Sequence, residues 1–144
     1  MLEHQFWENF RKWVPHPEVD EVYDVEEIGF QEDGFVVLLR PDHFQEEKRS
    51  ERGLRLVWDR IVSYTVTDES YRPELWVSEK TPGWALWTFY LSETSEHLTK
   101  FREENYLVSQ DTHHFFICGT NLMADILSEE YPTATFLKGD PELR

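Results

Sequence analysis

The sequence predicts an α+β fold: a mostly antiparallel sheet with an N-terminal helix and a second helix near residues 92–106. Three observations predict it. Segments that alternate like strands outnumber those with helical spacing. The strand-like segments follow one another through short turns, without repeating strand–helix–strand units. Two stretches, 2–14 and 92–106, place apolar residues on one side of a helix.

In residues 2–14, Leu2, Phe6, Phe10, Trp13 and Val14 share a helical face, with Trp7 beside them. Pro15-His16-Pro17 ends the segment, because proline lacks an N–H and disfavours helix in its predecessor. Residues 19–40 read as a hairpin turning at Glu32-Asp33-Gly34, since Asp-Gly supplies the positive φ angles of a tight turn. Gly29 is a candidate bulge. Residues 41–53 are polar and of mixed charge, a loop or short exposed helix. Leu54, Leu56 and Trp58, then Val62, Tyr64 and Val66, alternate with other residues as two half-buried strands or one long bent strand do.

Residues 68–83 form a connection with Pro73 and Pro82, either open throughout or with a short strand at Leu75-Trp76-Val77. Residues 84–91 are apolar on both faces, with Thr88 the main polar exception, as in an inner strand. Ser92, Thr94 or Ser95 caps the following helix, whose inner stripe is Leu98, Phe101 and Tyr106. Residues 113–118, 122–127 and 132–137 read as three more strands, the first two joined by Gly119-Thr120-Asn121, with a helix the alternative for 122–127.

The length, 144 residues, predicts one domain over 1–144. Aromatic residues make up 15 %, too many for a disordered acidic tail. Acids number 29 and bases 14, a net charge of −15. That balance argues against a partner made of nucleic acid and against an anionic membrane surface. The lone Cys118 cannot form an internal disulfide. With no basic-then-apolar leader and no apolar run near ~20 residues, a cytoplasmic location is expected.

Catalytic motifs are missing from the sequence. There is no phosphate-binding glycine pattern, no G-x-S-x-G and no H-E-x-x-H. His113 and His114 lie near Asp111 and Cys118, but strand neighbours point to opposite faces and cannot converge on one metal. The acidic doublets, such as Glu26-Glu27 and Glu103-Glu104, diverge for the same reason. No catalytic residue, metal or cofactor is expected.

Two features remain. Trp58, Tyr64, Tyr71, Trp76, Trp84, Trp87, Phe89 and Tyr90 form an aromatic-rich stretch. It is either core or, around Trp76 and Trp84, a ligand pocket. Residues 15–34 hold eight acids and no base, while residues 40–60 hold six of the bases. The acids are either answered by those bases or form a docking surface for a basic protein, with Asp20, Glu21, Asp24, Glu26 and Glu27 as contacts.

His113 to Cys118, Asp125 to Ser128 and Tyr131-Pro132-Thr133 resemble the ending of small acidic bacterial proteins of unknown function. Some proteins of that kind are similar to immunity proteins, which neutralise a toxin. The resemblance implies a protein partner and carries over no site residue. The expected function is therefore non-catalytic protein binding, immunity-like, through an acidic surface. The alternative is a small-molecule-binding domain or cryptic enzyme built on residues 58–90. Oligomeric state is left open.

Overall fold

The computed structural model describes residues 7–19, 22–41, 52–71 and 87–137. Among the described residues nine strands run in chain order as β1 (Arg11–Lys12), β2 (Tyr23–Gln31), β3 (Gly34–Pro41), β4 (Leu54–Trp58), β5 (Ser63–Asp68), β6 (Phe89–Ser92), β7 (His113–Cys118), β8 (Leu122–Ser128) and β9 (Thr133–Phe136). One helix, α1 (Glu96–Glu104), lies between β6 and β7. All pairings are antiparallel and build two sheets, ordered β1–β6–β7–β8–β5 and β2–β3–β4–β9.

The sheets pack face to face. Phe35, Val37, Leu54, Leu56 and Trp58 of one meet Phe89, Leu91, Phe115, Ile117 and Ile126 of the other in a single buried cluster. Alternation makes this possible: on β4 the residues Leu54, Leu56 and Trp58 point inward while Arg55 and Val57 point out.

This corrects the predicted class. Half of the described residues are strand and 13 % helical, so the fold is a two-sheet β arrangement with one helix, not an α+β fold with an N-terminal helix. Helical backbone persists only at Trp7 and Glu8 among the described residues of that segment, and residues 2–6 lie outside them. Arg11 and Lys12 instead pair with Leu91 and Tyr90 as strand β1. The physical reason lies in the two apolar sites that the segment must fill. Phe10 packs with Trp7, Tyr90 and Phe116 on the outer face of the five-stranded sheet. Trp13 packs on Phe89 and Phe115 between the sheets. A helix puts both rings on one side, whereas an extended chain passing round the sheet edge serves both. Short helices are marginal alone, so tertiary contacts override the pattern.

The hairpin forms as expected, but its geometry differs. Gln31 pairs with Gly34, so the two loop residues are Glu32 and Asp33. Gly34 starts β3 at φ +135, and a Cβ there would sit 2.3 Å from the Trp58 carbonyl oxygen. Close approach, together with the positive φ, is what requires glycine. The register shift falls between Val25 and Glu27 rather than at Gly29.

Strand β6 is buried along its length and lies between β1 and β7, as expected of an inner strand, but it starts at Phe89: Trp87 and Thr88 form a bend, Ser92 belongs to the strand, and residues 84–86 lie outside the described residues. The helix is shorter than expected, with Ser95 as its cap. Leu98 is its buried contact, Phe101 is half-buried, and Tyr106 is exposed past the helix end rather than part of an inner stripe. Arg102 anchors the helix by donating to the carbonyl oxygens of Glu93, Gln110 and Thr112. Among the described residues no helix is long and apolar enough to cross a membrane.

Candidate functional site

The outer face of the five-stranded sheet holds a buried polar chain. His114 on β7 lies opposite Leu127 on β8, two residues from Asp125. Opposed residues share a face, and diagonal neighbours are within reach of a long side chain. The imidazole Nε2 accordingly meets Asp125 Oδ1 at 2.7 Å. On its other side His114 lies opposite Ser92 of β6. The chain turns over this face to start α1, which brings Ser95 Oγ to 2.7 Å from His114 Nδ1.

All three residues are buried, at 2 % exposure for Ser95, 1 % for His114 and 5 % for Asp125. The Phe10 ring stands edge-on to the imidazole at 5.0 Å, and His97 lies at 5.1 Å.

The constellation has the residue types of a nucleophile, base and orienting acid. Its hydrogen bonds give those residues other work. Ser95 Oγ accepts from the Leu98 N–H at 3.1 Å as the helix N-cap. The same oxygen lies within hydrogen-bond distance of Nδ1, and Nε2 within that of the Asp125 carboxylate. Both ring nitrogens and the serine oxygen thus have partners, as burial demands. The serine hydroxyl has no open approach. As it stands the chain is a strut that fixes the start of α1 to β7 and β8.

His113 and His114 do point to opposite faces, as strand geometry requires: His113 lies against Tyr131 and Phe115, while His114 faces Ser95. Cys118 is buried on the same face as His114, packed with Phe116 and Met123. Sequence reasoning missed Ser95 and Asp125 as partners of His114. The signal was available in Asp125, a single carboxylate inside the apolar run Leu122 to Leu127. Folding that run back on residues 113–118 puts Asp125 on the His114 face.

Of the aromatic stretch, Trp58, Phe89 and Tyr90 are core, Trp87 is half-buried and Tyr71 is exposed. Burial raises the Tyr90 phenol above its ordinary range, and its oxygen accepts from the Trp87 N–H at 2.9 Å. Trp76 and Trp84 lie outside the described residues, so the pocket expected there does too. A cleft of 220 Å³ lies elsewhere, between Arg60, Ile61 and Val62 and the acids Glu129 and Glu130.

The acidic segment is partly answered by the basic one. Arg52 pairs with Glu18, Arg40 with Glu26 and Arg55 with Asp33. The Arg55 hydrogen bond holds the Asp33 carboxyl below its usual value and raises the guanidinium in return. Asp24 is half-buried, while Glu26 and Glu27 are exposed on β2. Asp20 and Glu21 lie outside the described residues.

No protein-family model matches this chain, and neither a curated protein nor a solved structure matches it.

Proposed function

We propose that this chain is a non-catalytic protein-binding domain that takes a basic protein partner onto its acidic surface, in the manner of an immunity protein. The carrying observation is where the bases go. Arg11, Arg40, Arg52 and Arg55 already face Glu93, Glu26, Glu18 and Asp33. Arg102 is turned onto backbone carbonyls, and Lys12 sits over the Trp87 ring. With 29 acids against 14 bases, the surplus is negative and at the surface, where Glu27 and Glu32 are exposed. Such a field steers a cationic protein to its site and speeds association.

The test is capture of a basic protein from the source cell, followed by stopped-flow association at several salt concentrations. Glu27→Gln with Glu32→Gln should slow association more than it speeds dissociation. Adding Asp24→Asn and Glu26→Gln extends the series across β2, with loss of the Arg40 pair. A partner whose association rate ignores both salt and these variants would sink the reading.

The Ser95–His114–Asp125 chain favours a second reading, an acyl-transfer enzyme whose serine is uncovered by movement of the segment carrying Phe10. Covalent labelling of Ser95 by a fluorophosphonate, abolished by His114→Gln, supports that reading; a serine that stays unlabelled refutes it.

A further inference from the structure

The edges of the two sheets are treated differently. The β2 edge is closed at Tyr23 and Val25 by Thr88 and Asn121 side chains. Strand β1 is two residues long. Strand β5 is six residues long and, among the described residues, pairs only with β8. From Ser63 to Thr67 it carries neither charge nor proline, the usual guards of an open edge. Its apolar side chains are exposed, Tyr64 by 43 % and Val66 by 38 %, and so is the preceding Val62, by 39 %. Phe30, 68 % exposed, extends the patch, with its ring 5.9 Å from that of Tyr64.

We infer that β5 is a homodimerisation edge, on which a second copy of this chain adds its own β5 in antiparallel register. Antiparallel pairing brings the start of one strand to the end of the other, and those ends have opposite charge. Arg60 precedes β5 and Asp68 closes it. The Asp68 carboxyl is held below its usual value by Ser70, so it stays charged.

A two-fold axis normal to the sheet keeps each face on its own side, so opposed residues must share a face. Any residue placed opposite its own copy satisfies this, Thr65 and Tyr64 among them. With Thr65 opposite itself, Val62 meets Asp68 of the second copy. With Tyr64 opposite itself, the strands overlap from Ser63 to Thr65, and Val62 and Arg60, which precede the strand, come beside Val66 and Asp68 of the second copy. The second register matches apolar with apolar and positive with negative, and it sets the two Phe30–Tyr64 patches side by side. The net charge of −15 per copy opposes association at low salt, but beyond about 8 Å it is screened at physiological ionic strength. Glu129 and Glu130 also line the cleft beside Arg60, so a reciprocal charge exchange reads the pair better than any single change.

The experiment is sedimentation equilibrium of the full chain at physiological salt over a wide concentration range. Wild type should show twice the monomer mass at high concentration. Arg60→Asp and Asp68→Arg should each give monomer, and the double variant should recover the dimer. Val66→Lys, an exposed substitution, should also give monomer while circular dichroism shows an unchanged fold. Hydrogen exchange along β5 should slow as concentration rises. The inference is overturned by a wild type that stays monomeric throughout. It is equally overturned by a dimer that survives all three single changes, or by a double variant that fails to recover it. It stands apart from the binding reading above, since a dimer joined at β5 leaves Glu27 and Glu32 to either outcome.

Discussion

The Asn121 side chain closes the edge of β2 by bonding both backbone groups of Val25. Its Oδ1 accepts from the Val25 N–H at 3.0 Å and its Nδ2 donates to the Val25 carbonyl oxygen at 2.9 Å. The amide thus replaces a missing neighbour strand at the point where the β2 register shifts. Because Asn121 sits in the β7–β8 turn, the same two bonds hold one sheet to the other.

Asn121→Ala should therefore cost about 1–3 kcal/mol, the penalty for leaving partly buried backbone groups unmatched. Urea denaturation measures the loss, and hydrogen exchange at the Val25 amide should speed up. Wild-type stability with unchanged exchange would show that water replaces the side chain without penalty.

Ser95→Ala removes the helix cap and a partner of His114 together. The cap alone is worth about 0.5–2 kcal/mol, and a stranded buried nitrogen costs about 1–3 kcal/mol. A combined loss above the cap value, read by denaturation, is expected. His114→Gln added to the Ser95→Ala variant should then cost less than it does in wild type, because the two residues act as a unit. Additive losses would show that they do not.

Phe10→Ala empties a buried site against His114 and Phe116. The expected cost is about 3–5 kcal/mol, transfer and cavity together. Although the segment is not a helix past Glu8, the expectation survives, since it rests on burial. A variant as stable as wild type would make residues 7–13 a detachable strap.

The acid side of the stability profile should carry a signature of Asp33. Its carboxyl lies below the ordinary 3.8 in the folded state, because Arg55 bonds the charged form. Such a group stabilises the fold above its unfolded value, and that contribution is lost as pH falls through the folded value. Asp33→Asn should thus narrow the gap to wild type progressively as pH drops below 3.8, in denaturation series at low salt. Parallel curves through that range would show that Arg55 and Asp33 do not hold each other in solution.

Much of the sheet was legible because strand alternation is local. Leu54, Leu56 and Trp58 declare their face without help from elsewhere, and residues 113–118 read as a strand with the correct limits. The N-terminal segment was not legible, because helical spacing of Phe6, Phe10 and Trp13 is indistinguishable from rings meant for two different surfaces. The polar chain fell between these cases. Ser95 was legible as a cap and His114 as a strand residue, but their meeting depends on how α1 swings over β6 and β7. Two-faced apolarity of residues 84–91 was plain from composition, and 89–91 are strand, yet their neighbour β1 was hidden inside the false helix.

The pairing of β4 with β9 sets a kinetic demand on this molecule. Arg55 finds Thr135 only after the chain has laid down every strand of the other sheet. Closing so long a loop costs entropy before any contact offsets it. The four-stranded sheet should thus be the last to complete, and refolding should be slow for a chain of this size. During that interval β4 has a vacant side, and its unfilled ladder is where a nascent chain would first mispair.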